Sequence, residues 1–396
     1  MRLVEDGERR ARLAVRHGLH PAHRLPDTLA TARAMTVLHA TEAATVHLAV
    51  GARTEGLTPE DVDHALHRDR TVVKQLAMRR TMFAVPLDLL PAVLGSASAR
   101  VAGEQHRLIA KDARRHGIAD DGEAWLATAG EAVMARLSGS APMTAKQLRE
   151  DLPELSGSIT INEGKKYGGT FNLAPRVLTW LGAEGRIVRG PNAGHWRLSK
   201  PAWTLMRDWL GEEVTPLPSP EGYAELVRRW LRTFGPGTLE DVQWWLGATK
   251  GATRAALEAV DAVEVRLERD RTGWLLPEDV EPAAEVEPWA ALLPTLDPTT
   301  MGWKERGHYL DEDRRALLFD SNGNGGTTAW WDGRIVGAWV QDEDGVVSVV
   351  ECPALDIGSE GRSALATEAD RLTAWLDGVR ITNVYASALM KGDNLP

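Results

Sequence analysis

The stretch that decides the fold is RVLTWLGAEGRIVRGPNAGHWRLS, residues 176–199. Its first half reads as a helix that Gly182 and Gly185 bring to a stop. Its second half holds two β-capable runs, GRIVRG and HWRLS, around the turn signal PNAG, as a hairpin requires. Upstream, MTAKQLREDL (143–152) adds a capped helix. Helix, helix and two strands joined by a projecting turn is the order of a winged helix. The same order recurs in GTLEDVQWWLGATKGATRAALEAVDAVEVRLERDRTGWLLP (237–277), where Thr238 caps one helix, a second runs from about Thr253, and VEVRL and GWLLP flank ERDRT. A third, less regular copy precedes both. LTPEDVDHALHRD (57–69) offers Thr58 as N-cap, Pro59 at the first helical position and Asp61 completing a capping box, and RTVVKQLAMRRTMFAVP (70–86) turns β-branched and aromatic.

Repetition of one supersecondary order at comparable length predicts an α+β protein of three tandem winged-helix units. From about residue 285 the pattern changes to short β-rich runs separated by Gly and Asp turns, interrupted by one helix in SALATEADRLTAWLDGV (363–379), which predicts a C-terminal antiparallel β domain. The expected division is 1–88 for unit 1, 89–121 for bridging helices, 122–203 for unit 2, 204–284 for unit 3 and 285–396 for the β domain. Pro- and acid-rich linkers, EEVTPLPSPEG and PEDVEPAAEVEPW, separate the last three blocks.

A chain of 396 residues has room for several cores. Its apolar runs fall short of the roughly 20 residues that span a bilayer and its first residues are charged throughout, so neither a membrane span nor a signal peptide is expected and the protein reads as cytoplasmic. The lone Cys352 excludes internal disulfides and multi-cysteine zinc sites. His64 and His67 stand at helical spacing but outside an HExxH pattern and read as a solvated face, so no metal is expected. The net charge of -10 argues against a generic polyanion binder. Between residues 160 and 200, however, Lys165, Lys166, Arg176, Arg186, Arg189, Arg197 and Lys200 face only Glu163 and Glu184. That local excess marks the second wing, with Asn192 and His195 at its turn, as the surface for a nucleic-acid backbone. Lys165 and Lys166, flanked by Gly, read as a basic loop of the same surface.

Four phrases, VDHALHRDRTVVKQLAMRRTMFAVP (62–86), VLTWLGAEGRIVRGP (177–191), LLPTLDPTTMGWKERGHYL (292–310) and LFDSNGNGGTTAWWDGRIVGAW (318–339), resemble the tandem winged-helix family that contains the AlkZ and YcaQ DNA glycosylases. The resemblance runs in chain order from about residue 25 to near residue 390. It implies a concave surface that binds double-stranded DNA as a monomer, and excision of alkylated purines, bulky N7 adducts and crosslinks included, without metal or cofactor. Family enzymes carry Gln-x-Gln or Gln-x-Asp in the first unit, thought to place the hydrolytic water. In LHATEAATVHLAV (38–50) those two positions hold His39 and Thr41. Phe83 likewise stands where many relatives have histidine.

Such chemistry needs positioning more than covalent catalysis, since an N7-alkylated guanine is already a cation and leaves as a neutral base. A neutral His39 would accept a proton from the water and Thr41 would orient it, with Glu42 a third candidate that offers negative charge near the developing cation. Thr41 followed by Glu42 reads as an N-cap before a helix starting at residue 42, which would bring His39 and Thr41 together at a helix junction. The plainer alternative makes Thr41 only a cap and His39 a surface neighbour. Arg79, Arg80 and Thr81, at the junction into the first wing, are candidates for phosphate or lesion contact, against a solvated helix end. Two rivals to a glycosylase remain at this stage, a non-catalytic winged-helix DNA binder and a structural partner that uses its winged helices for protein contacts.

Overall fold

A computed structural model describes residues 1–161 and 168–392. The first repeat begins with the helix Thr28–Ala34, whose N-terminus Asp27 caps by accepting from the Ala30 amide at 2.7 Å. Strand β2 (Leu38–His39), the helix Ala43–Gly51 and the helix Pro59–Asp63 follow, the last with the predicted Thr58–Asp61 capping box. Strands β3 (Val72–Leu76) and β4 (Met82–Pro86) then close a sheet of order β2-β4-β3. In the second repeat Thr144 and Gln147 form another capping box ahead of the helix Ala145–Asp151. The helix Ala174–Ala183 leads into β8 (Ile187–Asn192) and β9 (Pro201–Leu205), and β5 (Met143–Thr144) completes the order β5-β9-β8. A hairpin of β6 (Ser158–Ile161) and β7 (Gly169–Asn172) is inserted before the helix Ala174–Ala183. Lys165 and Lys166, between these strands, lie outside the described residues.

The third repeat runs through the helices Ser219–Phe234, Leu239–Leu246 and Lys250–Ala259 to β10 (Val263–Leu267) and β11 (Arg271–Leu275). Its last helix starts at Lys250, capped by Thr249, rather than near Thr253, because the Thr249 hydroxyl accepts the Ala252 amide at 3.2 Å. Residues at the start of the chain join this unit: β1 (Leu3–Val4) pairs in parallel with β10, Leu3 opposite Arg266. A two-residue strand leaves no periodicity to read, which is why sequence grouped these residues with unit 1. The C-terminal block is an antiparallel sheet of order β12-β13-β14-β15 (Ala290–Leu293, Thr328–Trp331, Arg334–Gln341, Val347–Glu351). The helix Gly358–Leu376 lies on it through Leu365, Ala369, Leu372 and Leu376.

What positions the site is how these blocks are locked together. Arg53, just past the helix Ala43–Gly51, forms a bidentate pair with Asp297 at 2.6 and 2.8 Å, and both side chains are fully buried. Arg53 also donates to the Ala49 carbonyl and the Thr299 hydroxyl, so the buried charges are hydrogen-bonded as burial demands. This pair fixes unit 1 to the β domain. Gln75 on β3 ties unit 1 to unit 2, its amide donating to the Gly182 carbonyl at 2.8 Å.

Candidate functional site

His39, Phe83 and Gln75 stand side by side on one face of the first sheet, since β4 registers Phe83 opposite both His39 and Gln75. The His39 ring lies 4.8 Å from that of Phe83, which in turn faces Trp245 of the third unit at 6.5 Å. His39 is 5% exposed and neither ring nitrogen has a protein hydrogen-bond partner. Burial, reinforced by the nearby Arg79 guanidinium, pushes its pKa down to about 3. The imidazole is therefore neutral throughout the physiological range, and it is a weak base. With both nitrogens shielded from bulk solvent, it offers a hydrogen-bond acceptor but drives proton removal poorly.

Strand geometry, not a helix junction, governs the neighbours of His39. The Ala40 amide still donates to the Met82 carbonyl at 2.9 Å, and the chain then bends at Thr41 and Glu42. Thr41 is exposed, and it does not cap the next helix. That helix starts at Ala43, with Glu42 in the cap position. Glu42 does not cap either: its Oε1 accepts the amides of Val384 at 2.6 Å and Tyr385 at 3.2 Å. Partial burial raises its pKa, and these two amides work against that rise. The sequence offered this acid as negative charge near a developing cation, whereas its partners in the fold lie at the far end of the chain.

Arg79, Arg80 and Thr81 form the turn between β3 and β4 rather than a solvated helix end. Arg79 and Arg80 adopt left-handed backbone at φ 53° and 57°, conformations that cost a non-glycine residue roughly 1–3 kcal/mol each and persist only where the surroundings enforce them. The enforcing surface is the helix Leu239–Leu246. The Arg79 guanidinium lies 3.9 Å above the Trp244 ring, and a Cβ on Gly247 would come within 3.0 Å of the Arg79 backbone nitrogen. Burial, with the Arg306 guanidinium nearby, lowers the Arg79 pKa to about 10, so Arg79 stays charged at neutral pH. Arg306 approaches the other ring atoms of the cluster, 5.7 Å from Trp244 and 4.3 Å from Phe319. Arg80 is exposed and lines a cleft of about 810 Å³ with Gln105, Leu108, Phe171 and Arg176.

The second wing is engaged largely with protein. Arg186 pairs with Glu131 at 2.6 Å, an acid that lies upstream of the charge window counted in sequence. Arg189 is tucked beside Trp203, its pKa lowered by burial. Asn192 organises the turn, donating to the carbonyls of Gly194, His195 and Leu198 and accepting from the Lys200 amide. Trp196 at the tip sits 5.0 Å from His47 of unit 1 and 5.9 Å from Trp375 of the C-terminal helix. His195 and Arg197 remain exposed. Under this tip His47 contacts Asp63 at 3.0 Å, and His67, read from sequence as solvated, is turned inward beside the same carboxylate with its pKa lowered to about 4 by burial.

The sequence singled out His39 and Arg79 but gave no sign of Arg306 or of the Arg53–Asp297 lock. The adjacent pair Trp244–Trp245 carried a signal, since one member of such a pair must turn away from its helix's core: Trp245 is buried and Trp244 half-buried. Among the described residues no group of three His, Cys, Asp or Glu side chains gathers as a metal-holding cluster, and no helix is long and apolar enough to cross a membrane.

Comparison with known proteins places this arrangement. A family model described as DNA glycosylase AlkZ-like matches residues 32–375. The solved structure of Streptomyces sahachiroi DNA glycosylase AlkZ superposes with a TM-score of 0.74 at 21% identity, covering 96% of this chain and 99% of that one. At that identity the likeness establishes the fold, a tandem winged-helix array with a C-terminal β domain. No curated protein matches the sequence.

Proposed function

The chain belongs to the AlkZ-like DNA glycosylase family, hydrolases of N-glycosidic bonds in DNA, and from that premise we propose that it releases alkylated purines, N7 adducts and their bulky or crosslinked forms among them, from double-stranded DNA by means of a positioned water. It acts in this reading as a monomer and without a cofactor. The observation that carries it is His39: a neutral, buried ring whose nitrogens have no protein partner, two residues from exposed Thr41, at the positions where the sequence resemblance puts the family's polar pair.

The water oxygen attacks C1′ as the C1′–N9 bond breaks. The bonding pair goes to the cationic purine, which leaves neutral, and the water's surplus proton passes to solvent. With a pKa held near 3, His39 contributes orientation of that water more than removal of its proton, and Thr41 supplies the second contact. The Arg79 guanidinium, backed by Trp244, serves a backbone phosphate beside the lesion, while exposed Arg80, Arg197 and His195 supply further backbone contacts and Thr81 borders the same turn.

The test is incubation with duplexes carrying one N7-methylguanine or one bulkier N7 adduct, scoring abasic sites for the wild type, His39→Ala and Thr41→Ala. Release by the wild type that either substitution abolishes, with DNA binding retained, is the expected result. Binding without release from either duplex would instead favour a DNA binder that lost turnover when the family's glutamines were replaced.

A further inference from the structure

Val384 is 78% exposed, more than any other large apolar side chain among the described residues, the N-terminal Met1 included. Its loop is far from slack. The Ile381 amide donates to Gln341 Oε1 at 2.9 Å, Asn383 Oδ1 accepts from the Thr295 hydroxyl at 2.9 Å, and Ser387 caps the short helix Ala388–Lys391. At the centre, the amides of Val384 and Tyr385 both end on the Glu42 carboxylate. Polar bonds thus hold the backbone on either side while the apolar side chain at its apex is turned to water, a fixed apolar knuckle. The holding group is next in sequence to Thr41 and three residues from His39, so the knuckle is tied to the segment that carries both.

A glycosylase acting within a duplex must open the base stack to reach C1′, and apolar side chains driven between base steps are a general means of doing so. Resting on the glycosylase reading, we propose that Val384 is a wedge that parts the stack at the lesion and that Glu42 is the positioning residue that holds it. This assigns Glu42 a task different from charge stabilisation of the departing cation. Its buried carboxylate is committed to two backbone amides, and an amide oxygen in the same place would serve them.

The test uses the full chain and a duplex in which 2-aminopurine lies next to an N7-methylguanine whose 2′-fluoro sugar resists cleavage, so unstacking is read without chemistry. Wild type raises the fluorescence on binding. Val384→Gly loses that rise and slows single-turnover excision from the ordinary N7-methylguanine duplex by about tenfold or more, because the stack must then open unaided, while affinity, set by phosphate contacts, stays within about threefold. Val384→Leu keeps both signals. Glu42→Ala behaves as Val384→Gly, and Glu42→Gln restores most of the rise and of the rate. Unchanged fluorescence in Val384→Gly, or no rise with wild type, overturns the wedge. Glu42→Gln that keeps the fluorescence but loses excision as fully as Glu42→Ala overturns the positioning role and puts the charge into the chemistry. A wild-type rise without excision of the ordinary duplex leaves the wedge standing and refutes the glycosylase reading instead.

Discussion

The depressed pKa of His39 makes a pH profile the sharpest probe of its role. A histidine acting as general base from an unperturbed pKa of about 6.5 would be mostly protonated at pH 5 and would lose about thirtyfold in rate between pH 8 and pH 5. His39, held at about 3 by burial and by Arg79, is protonated to only about 1% at pH 5. The ratio of single-turnover excision by wild type to that by His39→Gln is therefore expected to stay flat from pH 5 to pH 9, and taking the ratio cancels the intrinsic acid lability of the substrate. Folding stability carries the complementary signature. The unfolded state binds the His39 proton below about pH 6.5 and the folded state only near pH 3, so this residue's contribution is intact above about pH 6.5 and is lost as pH falls toward 3. Denaturant titrations should show wild type losing stability relative to His39→Gln by roughly 1 kcal/mol per pH unit between pH 6 and pH 4. An activity ratio that drops about thirtyfold on acidification, centred near pH 6.5, would refute the buried, water-orienting histidine and restore an ordinary general base.

Other consequences follow from named contacts. Asp297→Asn or Arg53→Ala leaves half of a fully buried ion pair and should cost about 3–5 kcal/mol in urea unfolding, a larger loss than removal of any exposed pair. Arg79→Ala should weaken binding across DNA sequences and reduce the slope of log affinity against log salt by about one, with Trp244→Ala giving a weaker form of the same defect by releasing the guanidinium stacked on it. Arg197→Ala should lower the salt slope likewise, whereas Arg186→Ala, whose charge is already matched by Glu131, should leave it unchanged; salt titration of fluorescence anisotropy reads both. Trp196→Ala should open the second wing, visible as faster proteolysis between residues 190 and 200, because the ring that seats it between His47 and Trp375 is gone.

The features legible in sequence are those whose causes lie within a few residues. The capping boxes at Thr58, Thr144 and Thr238 each join a hydroxyl to an amide three positions on, and a capped helix recurring ahead of a strand pair was enough to announce three winged helices. The site is built from the opposite kind of contact. Glu42 is spent on amides at residues 384 and 385, Arg53 on Asp297, and Arg79 on a tryptophan of another repeat. None of these pairings has a local sequence signature, and each alters the chemistry of a residue that composition alone would assign to solvent or substrate. The same distinction explains the basic wing: the charge count along the chain was correct, but Arg186 meets an acid from a different helix, so a local excess in sequence became a neutral contact in space. Repeats of one fold stacked against each other turn surfaces that would be DNA-facing in an isolated winged helix into interfaces between units. A functional reading of any tandem array must therefore ask which wing still faces outward. Here the first wing's Arg80 and the second wing's His195 and Arg197 do, and they bracket the surface on which substitutions should change DNA affinity without changing stability.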